Sequence, residues 1–383
     1  MTYLPPDTRG RRDLPPRQPR ETVMGSSATA SELLSLRHPI VQGPFGGGLS
    51  TIELVSAVAD RGGLGSFGAH VLSPDALIET AARLRSRTSG AFALNLWVSD
   101  HDAGGVNVSA DAFADYAARF APYFAELAID LPDQPARFHE RFEDQAEALL
   151  EARPPAFSFV FGIPSTSILE ACRARDIRTI GAATSLKEAL ALEAAGVDMI
   201  VATGFEAGGH RPSFLDRAED SLMSTAALTQ IVARRVSVPV IAAGGIVDAA
   251  GIAAARQLGA SAAQLGTAFL ACAESGTTDA HRQVLFDPDR VGDTVLTRSY
   301  TGRLARGVRN RLIDELGARE IAPFPVQAWF VSQLKAACAR QERDDLTSLY
   351  AGQSAPNLAH RTVAELMSAL TSGTASSAPA SAA

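Results

Sequence analysis

The sequence predicts an α/β fold, a (β/α)8 barrel, on three observations. From residue 38 onward, short apolar runs alternate with helix-length amphipathic segments. Eight such strand-helix units fit before residue 278, and none is joined to the next by a hairpin signal. The competing arrangement is an open doubly wound sheet. Against it, the first glycine cluster, Gly43-Pro44-Phe45-Gly46-Gly47-Gly48, lacks G-x-G-x-x-G spacing followed by an acidic residue at a second strand end.

The first strand is expected at 40–41, and the helix after it begins near Thr51 with Leu54, Val55 and Val58 on one face. Gly62-Gly63 stops that helix before a second strand at 64–67. Pro74 opens the next helix, where its missing N–H costs nothing, with Leu77, Ile78, Ala81 and Leu84 on the buried side. The third strand spans 92–96. Residues 101–153 break the rhythm and read as two inserted helices, around 110–128 and 138–152, that cover or edge the site. A fourth strand at 156–161 is followed by a helix at 165–175, and a fifth at 179–182 by a helix starting at Ser185, with Glu188 as the partner of a capping box. Strands at 199–202, 238–243 and 262–265 complete the eight.

Around this barrel, 31–278, the chain divides into a disordered lead at 1–30, a helical segment at 279–371 over the barrel mouth, and a low-complexity disordered tail at 372–383. The lead lacks the apolar stretch of a signal peptide, and Met24 is an alternative start.

Composition narrows the function. With 46% hydrophobic and 20% charged residues, the 383-residue chain reads as soluble and globular. A net charge of −7 and no basic stripe argue against nucleic acid, and the longest apolar region, 236–273, is interrupted by Asp248, Arg256 and Gln264, which argues against a membrane span. Cys172, Cys272 and Cys338 are far apart, so neither a metal site nor a disulfide framework is expected, and the cytoplasm is the natural compartment. A small molecule remains as the partner, with room for a homo-oligomer.

The chemistry is expected at the C-terminal strand ends. The stretch 199–212 runs from an apolar strand into Gly208-Gly209 and then His210, where permissive glycines and the one side chain that titrates near neutrality meet a buried strand end. A tight turn with a backbone-bonded histidine is the other reading of this loop. The two lysines, Lys187 and Lys335, lie away from strand ends, which argues against Schiff-base and pyridoxal chemistry. No strand-end carboxylate set is present for a metal or glycosidase site. After the last two strands, Gly244-Gly245 and Gln264-Leu265-Gly266-Thr267 offer unobstructed backbone leading towards helix N-termini, as a phosphate requires, or else glycines needed for tight βα turns.

These segments resemble the nitronate monooxygenase family, formerly the 2-nitropropane dioxygenases. The likeness runs from His38-Pro39-Ile40-Val41-Gln42-Gly43-Pro44 through Phe92-Ala93-Leu94-Asn95-Leu96, Phe161-Gly162-Ile163-Pro164, Glu206-Ala207-Gly208-Gly209-His210-Arg211 and Ala243-Gly244-Gly245-Ile246 to Gln264-Leu265-Gly266-Thr267, and extends to 301–307. It implies an FMN-containing TIM barrel that denitrifies alkyl nitronates with O2, with no metal. It further implies that Gly208, Gly244, Gly245, Gln264, Leu265, Gly266 and Thr267 contact FMN, that Asn95 and Gly43-Pro44 approach the ring system, and that His210 is the catalytic residue, contacting the nitro group or acting as base. Thr203 stands where the family usually has Gln, so its flavin contact is expected through a shorter side chain. FMN-dependent NAD(P)H reductases of enoyl-ACP or quinone type share the Glu-Ala-Gly-Gly-His and Ala-Gly-Gly segments and are the alternative. A barrel binding a phosphorylated ligand without redox chemistry is the third reading.

Overall fold

The computed structural model describes residues 28–372. Six parallel strands come first: β1 (Ile40–Gln42), β2 (Gly65–Gly68), β3 (Phe92–Trp97), β4 (Ala156–Val160), β5 (Arg178–Ala183) and β6 (Met199–Thr203). The two-residue β7 (Gly209–His210) lies outside their sheet, which β8 (Val240–Ala243) and β9 (Ala262–Leu265) complete. The eight parallel strands run in the order β1-β9-β8-β6-β5-β4-β3-β2. Parallel bridging of Val41 to Leu64, with Leu64 N–H donating to the Ile40 carbonyl at 2.9 Å, joins β2 to β1 and closes the sheet into a TIM barrel.

The pleat sorts side chains into two cores. Val41, Ala93, Ala156, Ile180, Ala182, Met199, Val201, Ile241 and Ala262 fill the interior, while their neighbours Leu94, Phe157, Ala183, Ile200, Ala202 and Val240 pack outward against the helices. Ala30 and Leu34 join the inner core. They belong to a helix, Ala30–Leu34, whose N-cap Thr29 forms a capping box with Glu32. The end of the expected lead thus takes part in the fold, because the barrel floor gives this turn apolar surface to cover; residues 1–27 of the lead and 373–383 of the tail lie outside the described residues.

The insertion forms helices Ala110–Glu126 and Phe142–Ala152. The second starts later than expected, because 138–141 run non-helically along the site. The first packs on Val326–Arg340 of the C-terminal segment, with the Phe120 and Phe330 rings stacked at 4.6 Å. Insertion and C-terminal segment thus share one apolar core.

Two expectations need correction. The C-terminal segment is not purely helical: β10 (Thr294–Thr297) and β11 (Ala305–Val308) form an antiparallel hairpin, and β7 adds to β11 as a third strand. Seven residues separate the two hairpin strands, so there is no two-residue turn signal, and β7 is too short to show periodicity. The capping box at Ser185 is only half present. Ser185 accepts from the Glu188 N–H at 3.2 Å, but the Glu188 carboxylate accepts instead from Thr184, Phe214 and Leu215 N–H groups. Buried Glu188 therefore ties the loop beyond His210 to β5, because a buried carboxylate needs several donors.

Candidate active site

At the C-terminal ends of the strands, the inward positions of the pleat stop being apolar. Asn95 and Trp97 of β3, Ser158 of β4, Thr203 of β6 and Gln264 of β9 line a cavity of about 660 Å3, an ordinary size for a cofactor or substrate site. The loops add Gly43, Pro44, Gly208, Gly244, Gly245, Gly266, Thr267 and His210 to the same wall. Eleven of the twelve expected site residues are thus brought together. Leu265 is the exception: its side chain is fully buried with Ile40, Leu54 and Phe269 outside the barrel. Parity is the cause, since Gln264 points inward and its neighbour must point out.

His210 is held by the three-stranded sheet. Its backbone pairs with Ala305, and its Nε2 lies 2.8 Å from Thr301 Oγ1 in the hairpin turn. The ring meets Trp97 edge-on, with centroids 4.8 Å apart at 71°. Burial, reinforced by the Arg303 guanidinium, pushes the imidazole down to about 3, so it is neutral at working pH. The flanking motif residues are scaffold. The Glu206 carboxylate accepts from Thr225 N–H and Oγ1, and the buried Arg211 donates to the Thr203 and Ser221 carbonyls. A Cβ on Gly208 would fall 2.6 Å from the Ala351 carbonyl carbon, so glycine here also admits the C-terminal segment.

Several side chains at the site are not among the expected site residues, because long-range folding brings them in, although Arg303 lies in the family-like stretch 301–307. Arg303 is 5% exposed and donates twice to Asp102 Oδ1, at 2.9 and 3.0 Å, and also to Ser99. Its guanidinium lies 4.1 Å from the Phe324 ring centroid and 4.3 Å from that of Phe161, bolting the hairpin to the end of β3. His70 stacks on Trp97 at 4.0 Å and faces His139 at 6.0 Å. A Cβ on Gly46 would fall 2.0 Å from the His70 ring, so only glycine leaves that ring its place. Burial holds His70 well below the usual imidazole range and His139 down at about 4. Lys335 lies on no strand, yet helix Val326–Arg340 carries it to the cavity, where Nζ donates to the Gly47 carbonyl at 2.9 Å. Burial lowers its ammonium to about 8. The site is therefore lined by neutral imidazoles, the Lys335 ammonium and an Arg137–Glu140 ion pair at 3.4 Å.

The two glycine turns suit an anion in a particular way. Gly244 and Gly245 have φ of +117° and +68°, and a Cβ on Gly266 would meet nothing within 4 Å. The helix-terminus part of the expectation is weaker. Asp248 caps helix Ala249–Gln257, accepting from the Gly251 N–H at 2.8 Å, and the helix after Gly266 has four residues. An anion here would thus rest on loop backbone and hydroxyls. Ser354 donates to the Gly245 carbonyl, and Thr267 Oγ1 accepts from Gly352 N–H at 2.9 Å, so residues 352–354 close over the turns.

Residues 27–373 match the family model described as nitronate monooxygenase. A probable nitronate monooxygenase of Staphylococcus aureus (strain MSSA476) is 36% identical over 332 residues, 86% of this chain and 92% of the relative. Among solved structures, nitroalkane oxidase from Streptomyces ansochromogenes superposes with a TM-score of 0.81 at 35% identity, covering 89% of this chain and 96% of that one. FabK from Thermotoga maritima does so with a TM-score of 0.67 at 27% identity, covering 90% and 95%.

Proposed function

The chain belongs to the nitronate monooxygenase family of oxidoreductases, and on that premise we propose that it is an FMN-dependent enzyme that converts alkyl nitronates to a carbonyl compound and nitrite with O2. The observation that carries the reading is the shared cavity, in which His210 and the side-chain-free turns at 244–245 and 266 line one space. The residues present fit FMN: Gly266 leaves room for a phosphate, Thr267 offers a hydroxyl beside it, and Asn95, Gln264 and Thr203 offer polar groups along the inner wall. Bound FMN would supply the redox chemistry, accepting electrons from the nitronate and passing them to O2.

The protein's own groups do the rest. Trp97, Phe161 and Phe324 form a dry wall that keeps water from the reacting carbon and strengthens every polar contact beside it. His210, neutral and anchored through Nε2, directs its other ring nitrogen at the substrate's nitro oxygens. Lys335 biases the cavity towards anions, which suits a nitronate better than a neutral nitroalkane. Thr203 leaves more space beside the flavin position than a glutamine would.

Anaerobic stopped-flow mixing separates this reading from a nicotinamide-driven reductase. Purified protein should be yellow and release FMN on denaturation, and its flavin should be reduced by a nitronate but scarcely by NADH or NADPH. Rapid full reduction by a pyridine nucleotide, with no nitrite formed from nitronates in air, would favour the reductase. Colourless protein that takes up no FMN would leave the non-redox ligand barrel.

A further inference from the structure

We propose that Thr301 is a positioning residue that fixes the tautomer of His210. Its hydroxyl donates to Nε2, the ring proton stays on Nδ1, and His210 therefore meets the cavity as a hydrogen-bond donor and not as a base. The step from tautomer to substrate preference rests on the nitronate reading above; the tautomer itself does not.

The contacts of one hydroxyl decide the assignment. Thr301 Oγ1 lies 2.8 Å from His210 Nε2, accepts from the Arg303 N–H at 3.3 Å, and stands 3.4 Å from the Arg303 carbonyl. It has a single proton to donate. At 3.4 Å the carbonyl is beyond the 2.5–3.0 Å usual for an O–H···O bond, whereas the contact with Nε2 is short. A bare imidazole nitrogen is also a better acceptor than a hydroxyl oxygen, so the proton of Thr301 belongs on the line to Nε2.

The contrast with His281 sharpens the point. There Nε2 lies 3.1 Å from the Tyr350 carbonyl, which can only accept, so that ring must carry its proton on Nε2. At His210 the fold presents a hydroxyl instead. Its position is set by the same hairpin that pairs with the His210 backbone: Gly302 N–H donates to Arg298 O at 2.8 Å, Arg211 N–H to Leu304 O at 2.8 Å, and Arg303 is clamped by Asp102. Among the described residues no carboxylate bonds to the His210 ring, and the charged group that acts on it is Arg303. An imidazolium formed by taking a substrate proton would be buried beside a guanidinium. A neutral Nδ1–H donor has no such cost and matches the negative oxygens of a nitronate. On this assignment the site favours the pre-formed nitronate anion over the neutral nitroalkane, whose C–H would need a base.

The test uses 15N-histidine-labelled, FMN-loaded protein. Long-range proton–nitrogen correlation spectra report which ring nitrogen carries the proton, and His210→Asn identifies the signal. The expected parent signal is the Nδ1–H tautomer. Thr301→Ser should keep it, whereas Thr301→Val should populate the Nε2–H form and lower kcat/KM for a nitronate by roughly ten-fold, the usual scale of one lost hydrogen bond, with FMN content and Tm close to the parent's. An Nε2–H tautomer in the parent overturns the proposal and needs no variant to fold, and so does an unchanged Nδ1–H signal in Thr301→Val. A parent with the Nδ1–H tautomer that consumes no nitronate would remove the nitronate reading while leaving the assignment of Thr301 in place.

Discussion

At the scale of single residues, burial moves the two titratable groups most exposed to the chemistry in the same direction, away from charge. His210 is held down to about 3, so no activity limb near the ordinary imidazole value should come from it. Its replacement by Asn should keep FMN and Tm while turnover falls by roughly 10²- to 10³-fold, the range typical of a lost hydrogen-bond donor to a substrate oxyanion. Unchanged turnover per bound flavin would take His210 out of the mechanism. Lys335, lowered to about 8, loses its charge as pH rises through that value. The kcat/KM for an anionic nitronate should therefore fall on the order of ten-fold above pH 8, and the limb should vanish in Lys335→Met, with the loss seen mainly in KM.

At the scale of elements, the βα turns and the hairpin divide the work. The turn at Gly266 offers a clean probe of the phosphate position, because its φ is −97° and a Cβ would meet nothing within 4 Å. Gly266→Ala should fold with the parent's Tm yet hold FMN about ten- to a hundred-fold more weakly, the cost of one misplaced methyl against a tightly bound group. Flavin titration of the apoprotein measures this, and unaltered affinity would move the phosphate elsewhere. Gly245→Val is a blunter instrument: with φ at +68° a β-branched residue is strained whatever is bound, so both Tm and FMN retention should drop. The hairpin does for His210 what a strand end does for Asn95. It converts a two-residue stretch of loop into laddered backbone, so the imidazole is carried on paired backbone and not on a free loop.

At the scale of the whole molecule, the concentration of neutral histidines predicts how stability depends on pH. His210, His139 and His281 are lowered to about 3, 4 and 4, and His70 lies well below its usual value, each chiefly through burial. Between these values and about 6.5 the unfolded chain binds protons that the folded one does not. Stability is therefore fully present above about pH 6.5 and is lost as pH falls, by about 1–2 kcal/mol per buried histidine at pH 5. Melting curves from pH 8 to 5 should show Tm falling steeply below 6.5, and a flat profile would mean that these rings are solvated in the native state.

Local sequence determined the barrel and most of the wall of its site. Alternating apolar runs and amphipathic helices set the eight units, because burial of a strand on both faces and of a helix on one leaves a readable period. Glycine pairs and a lone histidine at strand ends marked the turns, because backbone freedom and titration are properties of single residues. The outward side chain of Leu265 follows from its parity with Gln264, which the same four residues contain. What the sequence could not supply are contacts made across the chain: Thr301 with His210 over 91 residues, Arg303 with Asp102 over 201, and Lys335 with Gly47 over 288. No period or motif encodes such pairs. They exist because the insertion and the C-terminal segment bury a common apolar core over the barrel mouth, and that packing decides the tautomer, the charge and the dryness of the site.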